Sequence, residues 1–170
     1  MTCVVGVSKG NRTWLGGDSQ DTRGDMQTTR TDSKTFKRGP YILGFSGSFR
    51  GGQLLRHVFE PPTPPESGDL LQFMVTHFVP GLRSCFDVGG FVNDEEMDCL
   101  AATRGQLFYV GSDYQISQAD EMVIGSGTPY AMGSLYATKT KAPRTRVLTA
   151  LEAAVEYDTG CCGPFNVVNT

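Results

Sequence analysis

No run of about 18 or more apolar residues occurs in this chain, and its first residues lack the basic-then-apolar order of a secretory signal. A protein made and kept in the cytoplasm, without a membrane partner, is therefore expected. Basic residues are not in excess: 15 Lys and Arg stand against 18 Asp and Glu, so the phosphate-backbone attraction behind nucleic-acid binding is missing. Histidine is scarce. His57 and His77 are the only two, both within apolar helical patterns where a partly buried, satisfied imidazole is the ordinary reading. That scarcity, with the absence of a G-x-S-x-G elbow, leaves a Ser-His-Asp mechanism without support. No C-x-x-C pair exists among Cys3, Cys85, Cys99, Cys161 and Cys162. An odd number of cysteines in a chain too long to need stapling implies reduced thiols. Neither a metal site nor a cofactor is called for.

What the chain does have is enough length, 170 residues, to bury about two thirds of its unfolded surface in one core, so residues 1–170 are expected to form a single domain. Thr2 to Ser8 alternates β-branched and small residues, Lys9-Gly10-Asn11-Arg12 supplies a turn, and Thr13-Trp14-Leu15 begins a second extended run, which together predict a hairpin. Tyr41 to Phe45 is apolar enough for a strand buried on both faces. Helical spacing follows over Phe49 to Glu60, with Ser48 as cap, and over Asp69 to Cys85, kinked or ended by Pro80; the proline cluster Pro61-Pro62-Thr63-Pro64-Pro65 stops the first helix before the second. After the acidic stretch 93–96, a second hairpin is expected around Arg104-Gly105, then one strand across Tyr114 to Val123. Helices from about Thr128 to Thr138 and from a Thr145 cap to Tyr157 precede a closing strand from Pro164. Strands and helices arrive in segregated runs, which predicts an α+β fold of two packed antiparallel sheets with a helix pair outside each.

Thr2, directly after Met1, would carry nucleophile and base on one residue if Met1 were removed. An α-amino group titrates at about 7.7–8.0 and can take the hydroxyl proton near neutral pH. Alone this is weak, since threonine is an ordinary strand residue. Asp18, at the end of the second strand, reads equally as a turn cap. The Ser46-Gly47-Ser48 turn exposes backbone N–H groups to an anion or serves as a plain connection.

Taken in order, Thr2 to Val7, Leu15-Gly16-Gly17-Asp18-Ser19-Gln20, Lys34, Gly44-Phe45-Ser46-Gly47-Ser48, Ile124-Gly125-Ser126-Gly127-Thr128-Pro129-Tyr130-Ala131 and Ala150 to Asp158 resemble the proteasome β-subunit/HslV family over nearly the whole chain. The resemblance implies the four-layer αββα sandwich of the N-terminal-nucleophile hydrolases. It also implies that Thr2 is the nucleophile, that Lys34 sits beside it, and that Asp18 holds the lysine charged. Ser126 and Asp158 would orient the N-terminal amine, and the Gly47 N–H would receive the oxyanion. Asp21, Asp32, Phe45 and Phe49 lie where the family lines its side-chain pocket. The activity implied is hydrolysis of polypeptide substrates by homo-oligomeric rings working with an ATP-dependent unfoldase. The alternative is a non-catalytic ring subunit that keeps Met1. Two departures stand out. Cys3 replaces a residue that is often threonine, and Cys161 takes the place of a supporting serine, a better hydrogen-bond donor.

Overall fold

The computed structural model describes residues 1–91 and 96–170, so of the acidic stretch 93–96 only Glu96 falls within the described residues. The predicted N-terminal hairpin forms from β1 (Val4–Lys9) and β2 (Arg12–Gly17), paired from Val4 opposite Gly17 to Lys9 opposite Arg12. A short ribbon, β3 (Gln20–Arg23) and β4 (Met26–Thr29), follows. Next come β5 (Thr35–Arg38), β6 (Tyr41–Gly47) and α1 (Phe49–His57), where the Ser48 hydroxyl caps the helix by accepting from the Gly51 N–H. β7 (Met97–Thr103) and β8 (Gln106–Val110) form the second hairpin, turned through Arg104 and Gly105, both at positive φ.

The chain departs from expectation in four places. The single helix expected from Asp69 is α2 (Leu70–Phe73), a π-helical turn over Met74–Phe78, and α3 (Val79–Val88), continuous past Pro80. The proline ring cannot tolerate the carbonyl four residues earlier in α geometry, and the wider π turn before it accommodates the mismatch. Second, the strand expected over Tyr114 to Val123 is two: β9 (Ile116–Gln118) beside β8, and β10 (Glu121–Ile124) beside β1. The chain changes sheets between them. Third, α4 (Thr128–Ala137) is as expected, but α5 (Pro143–Tyr157) begins two residues before Thr145, because Pro143 has its φ already set for the first helical position. Finally, both histidines are exposed rather than partly buried. His77 stacks on Phe73 with ring centroids 4.9 Å apart, on the outer face of its helix.

β11 (Asn166–Asn169) closes the fold, giving one sheet in the order β10-β1-β2-β11 and another in the order β5-β6-β7-β8-β9. Val4, Leu15, Ile42, Leu100, Leu107 and Ile124 pack between the two sheets. α1 to α3 cover the second sheet through Leu54, Leu55, Leu70, Met74, Phe78 and Leu82, while Val147, Ala150, Leu151 and Ala154 of α5 cover the first with Ala131 and Leu135 of α4. The result is the predicted four-layer αββα sandwich of antiparallel sheets.

Candidate active site

Three chain segments that end or begin strands deliver the central residues: Thr2 just before β1, Asp18 just after β2, and Lys34 just before β5. Asp18 and Lys34 are wholly buried and Thr2 nearly so. A buried ion pair survives only if every lone pair and proton finds a partner. Here the Lys34 Nζ lies 2.9 and 3.0 Å from the two Asp18 carboxylate oxygens. Those oxygens also accept the backbone N–H of Cys3 at 2.9 Å and of Gln20 at 2.8 Å. The same ammonium donates to the Met1 carbonyl oxygen at 3.5 Å, and the Thr2 hydroxyl donates to that oxygen as well. Lysine and threonine thus converge on the carbonyl of the Met1-Thr2 peptide.

The other end of Thr2 is held by the turn between β10 and α4. The Thr2 N–H donates to the Ser126 Oγ at 3.2 Å, and the Thr2 carbonyl accepts from the Gly127 N–H at 3.2 Å. Gly125, at φ +96°, is required for this approach, because a Cβ there would lie 2.2 Å from the Thr2 oxygen. Asp158, just past α5, completes the group. Burial alone would raise its carboxyl pKa, but hydrogen bonds from Ser126, the Gly160 N–H and Cys161, with the positive chain terminus nearby, hold it below the ordinary carboxylate value. The Gly160 N–H donates to it at 2.8 Å and the Cys161 Sγ at 3.4 Å.

Gly47 ends β6 at φ +93°, turning the backbone out of the strand, and a Cβ on it would stand 2.0 Å from the Glu96 carbonyl oxygen. Strand end, turn and helix start are therefore compatible only with glycine at this position.

No family model matches the chain. It is similar to the ATP-dependent protease subunit HslV of Aquifex aeolicus, 29% identical over 162 residues that cover 91% of this chain and 89% of that one. The HslV of Caldanaerobacter subterraneus is 28% identical over 143 residues, 81% of this chain and 78% of its own. Among solved structures, Thiobacillus denitrificans BPH in complex with epoxomicin superposes with a TM-score of 0.82 at 20% identity over 99% and 97% of the two chains. Eukaryotic HslV from Trypanosoma brucei gives 0.74 at 16% identity over 98% of each. The chain is thus similar to HslV proteins over most of its length and shares the fold of these solved structures.

Of the four residues expected to line a side-chain pocket, some come together and others do not. Phe45 and Phe49 meet edge to face with centroids 6.5 Å apart. Arg30, which the sequence reading passed over, lies 4.1 Å above the Phe49 ring and pairs with Asp32. Burial would raise the Asp32 carboxyl pKa, but the hydrogen bond and charge of Arg30 outweigh it and leave it lowered. Asp21 is buried on β3 and pairs instead with Arg23 at 3.1 Å. The signal for Arg30 was its place two residues before Asp32, legible only once the Phe49 ring is known to lie beneath it.

The sequence also hid a second feature: the thiols of Cys3 and Cys161 meet. The hydrogen bond between them, then burial, pushes the Cys161 thiol far above its ordinary value, so Cys161 stays protonated. Among the described residues, no cluster of three or more His, Cys, Asp or Glu has the arrangement to hold a metal ion.

Proposed function

We propose that the chain is a threonine-type endopeptidase whose nucleophile is Thr2 once Met1 has been removed. The observation that carries this is the convergence of the Lys34 ammonium and the Thr2 hydroxyl on one carbonyl oxygen, with Ser126 at the Thr2 nitrogen and Asp158 hydrogen-bonded to Ser126 behind it. While Met1 is attached, that nitrogen is an amide and has no lone pair to accept a proton. Once freed, it becomes an amine held by Ser126 beside the hydroxyl that it must deprotonate.

The reaction then runs on the chain's own groups. The amine takes the Thr2 hydroxyl proton as Oγ attacks a substrate peptide carbonyl, with Lys34 stabilising the developing negative charge and Asp18 fixing Lys34. The Gly47 N–H receives the oxyanion. Protonation of the leaving amine frees one peptide product, and the acyl group remains as an ester on Thr2. Water, activated by the same amine, hydrolyses that ester. Ser126 and Asp158 act as positioning residues for the amine. Phe45, Phe49 and Asp32, the last neutralised by Arg30, form the pocket for the substrate side chain on the acyl side, with Asp21 at its margin.

The curated relatives are named as subunits of an ATP-dependent protease. By analogy, this chain forms homo-oligomeric rings in the cytoplasm that receive polypeptides from an ATP-dependent unfoldase. Among the described residues, no helix is long and apolar enough to cross a membrane.

Intact-mass measurement of the purified protein, before and after exposure to epoxomicin, tests the proposal. The expected result is loss of one Met residue and a single stoichiometric adduct that Thr2→Ala cannot form. Retained Met1 with no adduct would instead favour the non-catalytic ring subunit.

A further inference from the structure

Successive residues of a strand face opposite sides, so Phe45 and Ser46 of β6 divide the space next to Gly47 in two. Phe45 lies beneath α1 with Phe49 and Arg30, whereas Ser46 faces a separate cleft of about 520 Å³ on the other side. Gly47, Glu96, Asp98, Tyr109 and Gly125 line this cleft with Ser46, and among the described residues no lysine, arginine or histidine does. It opens directly beside the nucleophile, since Gly125 touches the Thr2 carbonyl and approaches the Ser46 hydroxyl. Glu96 is exposed, and Asp98 is half-buried with one oxygen accepting the Tyr109 hydroxyl at 2.8 Å.

Two carboxylates in a cleft would mean little without a second sign of a ligand. Ser46 supplies it. Its residue is only 8% exposed, yet its hydroxyl makes no hydrogen bond to any described residue and faces the cleft. A hydroxyl on so buried a residue is normally paired within the protein, and one that opens only into a cleft beside a reaction centre is placed to pair with something that enters.

A peptide that presents its scissile carbonyl to Gly47 must run in both directions from it. On the peptidase reading above, on which this inference rests, the aromatic pocket under α1 takes the acyl side, which leaves the Ser46 cleft to the leaving side. We propose that this cleft binds the residue directly after the scissile bond and selects a lysine or arginine there. Glu96 and Asp98 would meet its cationic head, the Tyr109 ring its methylene stem, and the Ser46 hydroxyl its backbone.

The test uses the full chain, freed of Met1, with peptides identical except for Lys, Gln or Glu after the cleaved bond, and maps products by mass spectrometry. Lys should exceed Glu in kcat/KM by roughly tenfold, and the Lys-to-Glu ratio should fall roughly threefold in Glu96→Gln and in Asp98→Asn, the size expected of partly exposed charge pairs. The ratio is read within each variant, so a general loss of activity cancels. Equal rates for Lys and Glu in the wild type would overturn the assignment. So would a ratio that survives both substitutions, or products in which the basic residue lies on the acyl side. A wild-type protein that cleaves neither these peptides nor an aminocoumarin-capped peptide, which has no residue on the leaving side, overturns the peptidase reading and the cleft with it.

Discussion

At the scale of single residues, the Asp18–Lys34 pair governs both stability and the proposed chemistry. Both side chains are fully out of water, so removing one partner leaves an uncompensated charge in the core. Asp18→Asn is expected to cost about 3–5 kcal/mol of folding free energy, read from a denaturant midpoint, and to abolish peptidase activity. Cys161 invites the opposite experiment. Its thiol is a weak donor to Asp158, and Cys161→Ser places a hydroxyl there. Turnover should rise about twofold to fivefold with KM unchanged, as expected of a group that orients the amine rather than binding substrate. Asp158 also sets an acid limit. Because its pKa is lowered in the folded state, it contributes stability that is present above the ordinary carboxylate pKa of about 3.9 and is lost as pH falls through the lower folded value. Thermal melts between pH 6 and 3 should therefore fall more steeply for the wild type than for Asp158→Asn.

At the scale of elements, the site is assembled from strand ends and the turns that follow them. β6 illustrates the constraint, since Gly47 must leave the strand at positive φ with the Glu96 carbonyl directly above it. Gly47→Ala is expected to lose about 1–3 kcal/mol from strain at positive φ alone, and more as its Cβ displaces the Glu96 carbonyl, and to lose activity by about a hundredfold or more as the N–H swings away from the oxyanion. A variant that keeps wild-type turnover would remove Gly47 from the mechanism. The expected helical stripe from Asp69 was legible, but its breadth was not. Leu70, Met74, Phe78, Leu82 and Phe86 are buried while Leu71 and Val75 are exposed, because the helix meets the sheet along one narrow line. The strand that changes sheets between Gln118 and Glu121 was read as one, since an apolar pattern carries no mark of which sheet it will join.

At the scale of the whole molecule, assembly is the open prediction. On the ring assembly proposed above, the 18.4 kDa chain should sediment, or register in mass photometry, as two stacked rings of six or seven subunits, twelve or fourteen in all, the arrangement that the family resemblance implies. The exposed Tyr130, Met132, Tyr136 and Tyr157 on α4 and α5 give that side of the sandwich an apolar character suited to burial. A protein that remains 18.4 kDa at micromolar concentration yet cleaves peptides would separate the chemistry from the ring.

By itself the sequence determined the segregated runs of strands and helices, and with them the layered class, because alternation and helical spacing are local and survive in the residues alone; the β3–β4 ribbon and the division between β9 and β10 were not legible in it. It also placed Thr2, Asp18, Lys34, Gly47, Ser126 and Asp158 at matching positions along the chain. Only the tertiary structure decided what those positions do to one another. Residues 2, 18, 34, 126 and 158 are far apart in the chain and meet because two sheets pack face to face with their strand ends on the same side. The same packing brought Cys3 against Cys161, set Arg30 over Phe49 and left Ser46 facing an open cleft. None of these is visible in a linear pattern, since each depends on which face of which strand turns toward a neighbour.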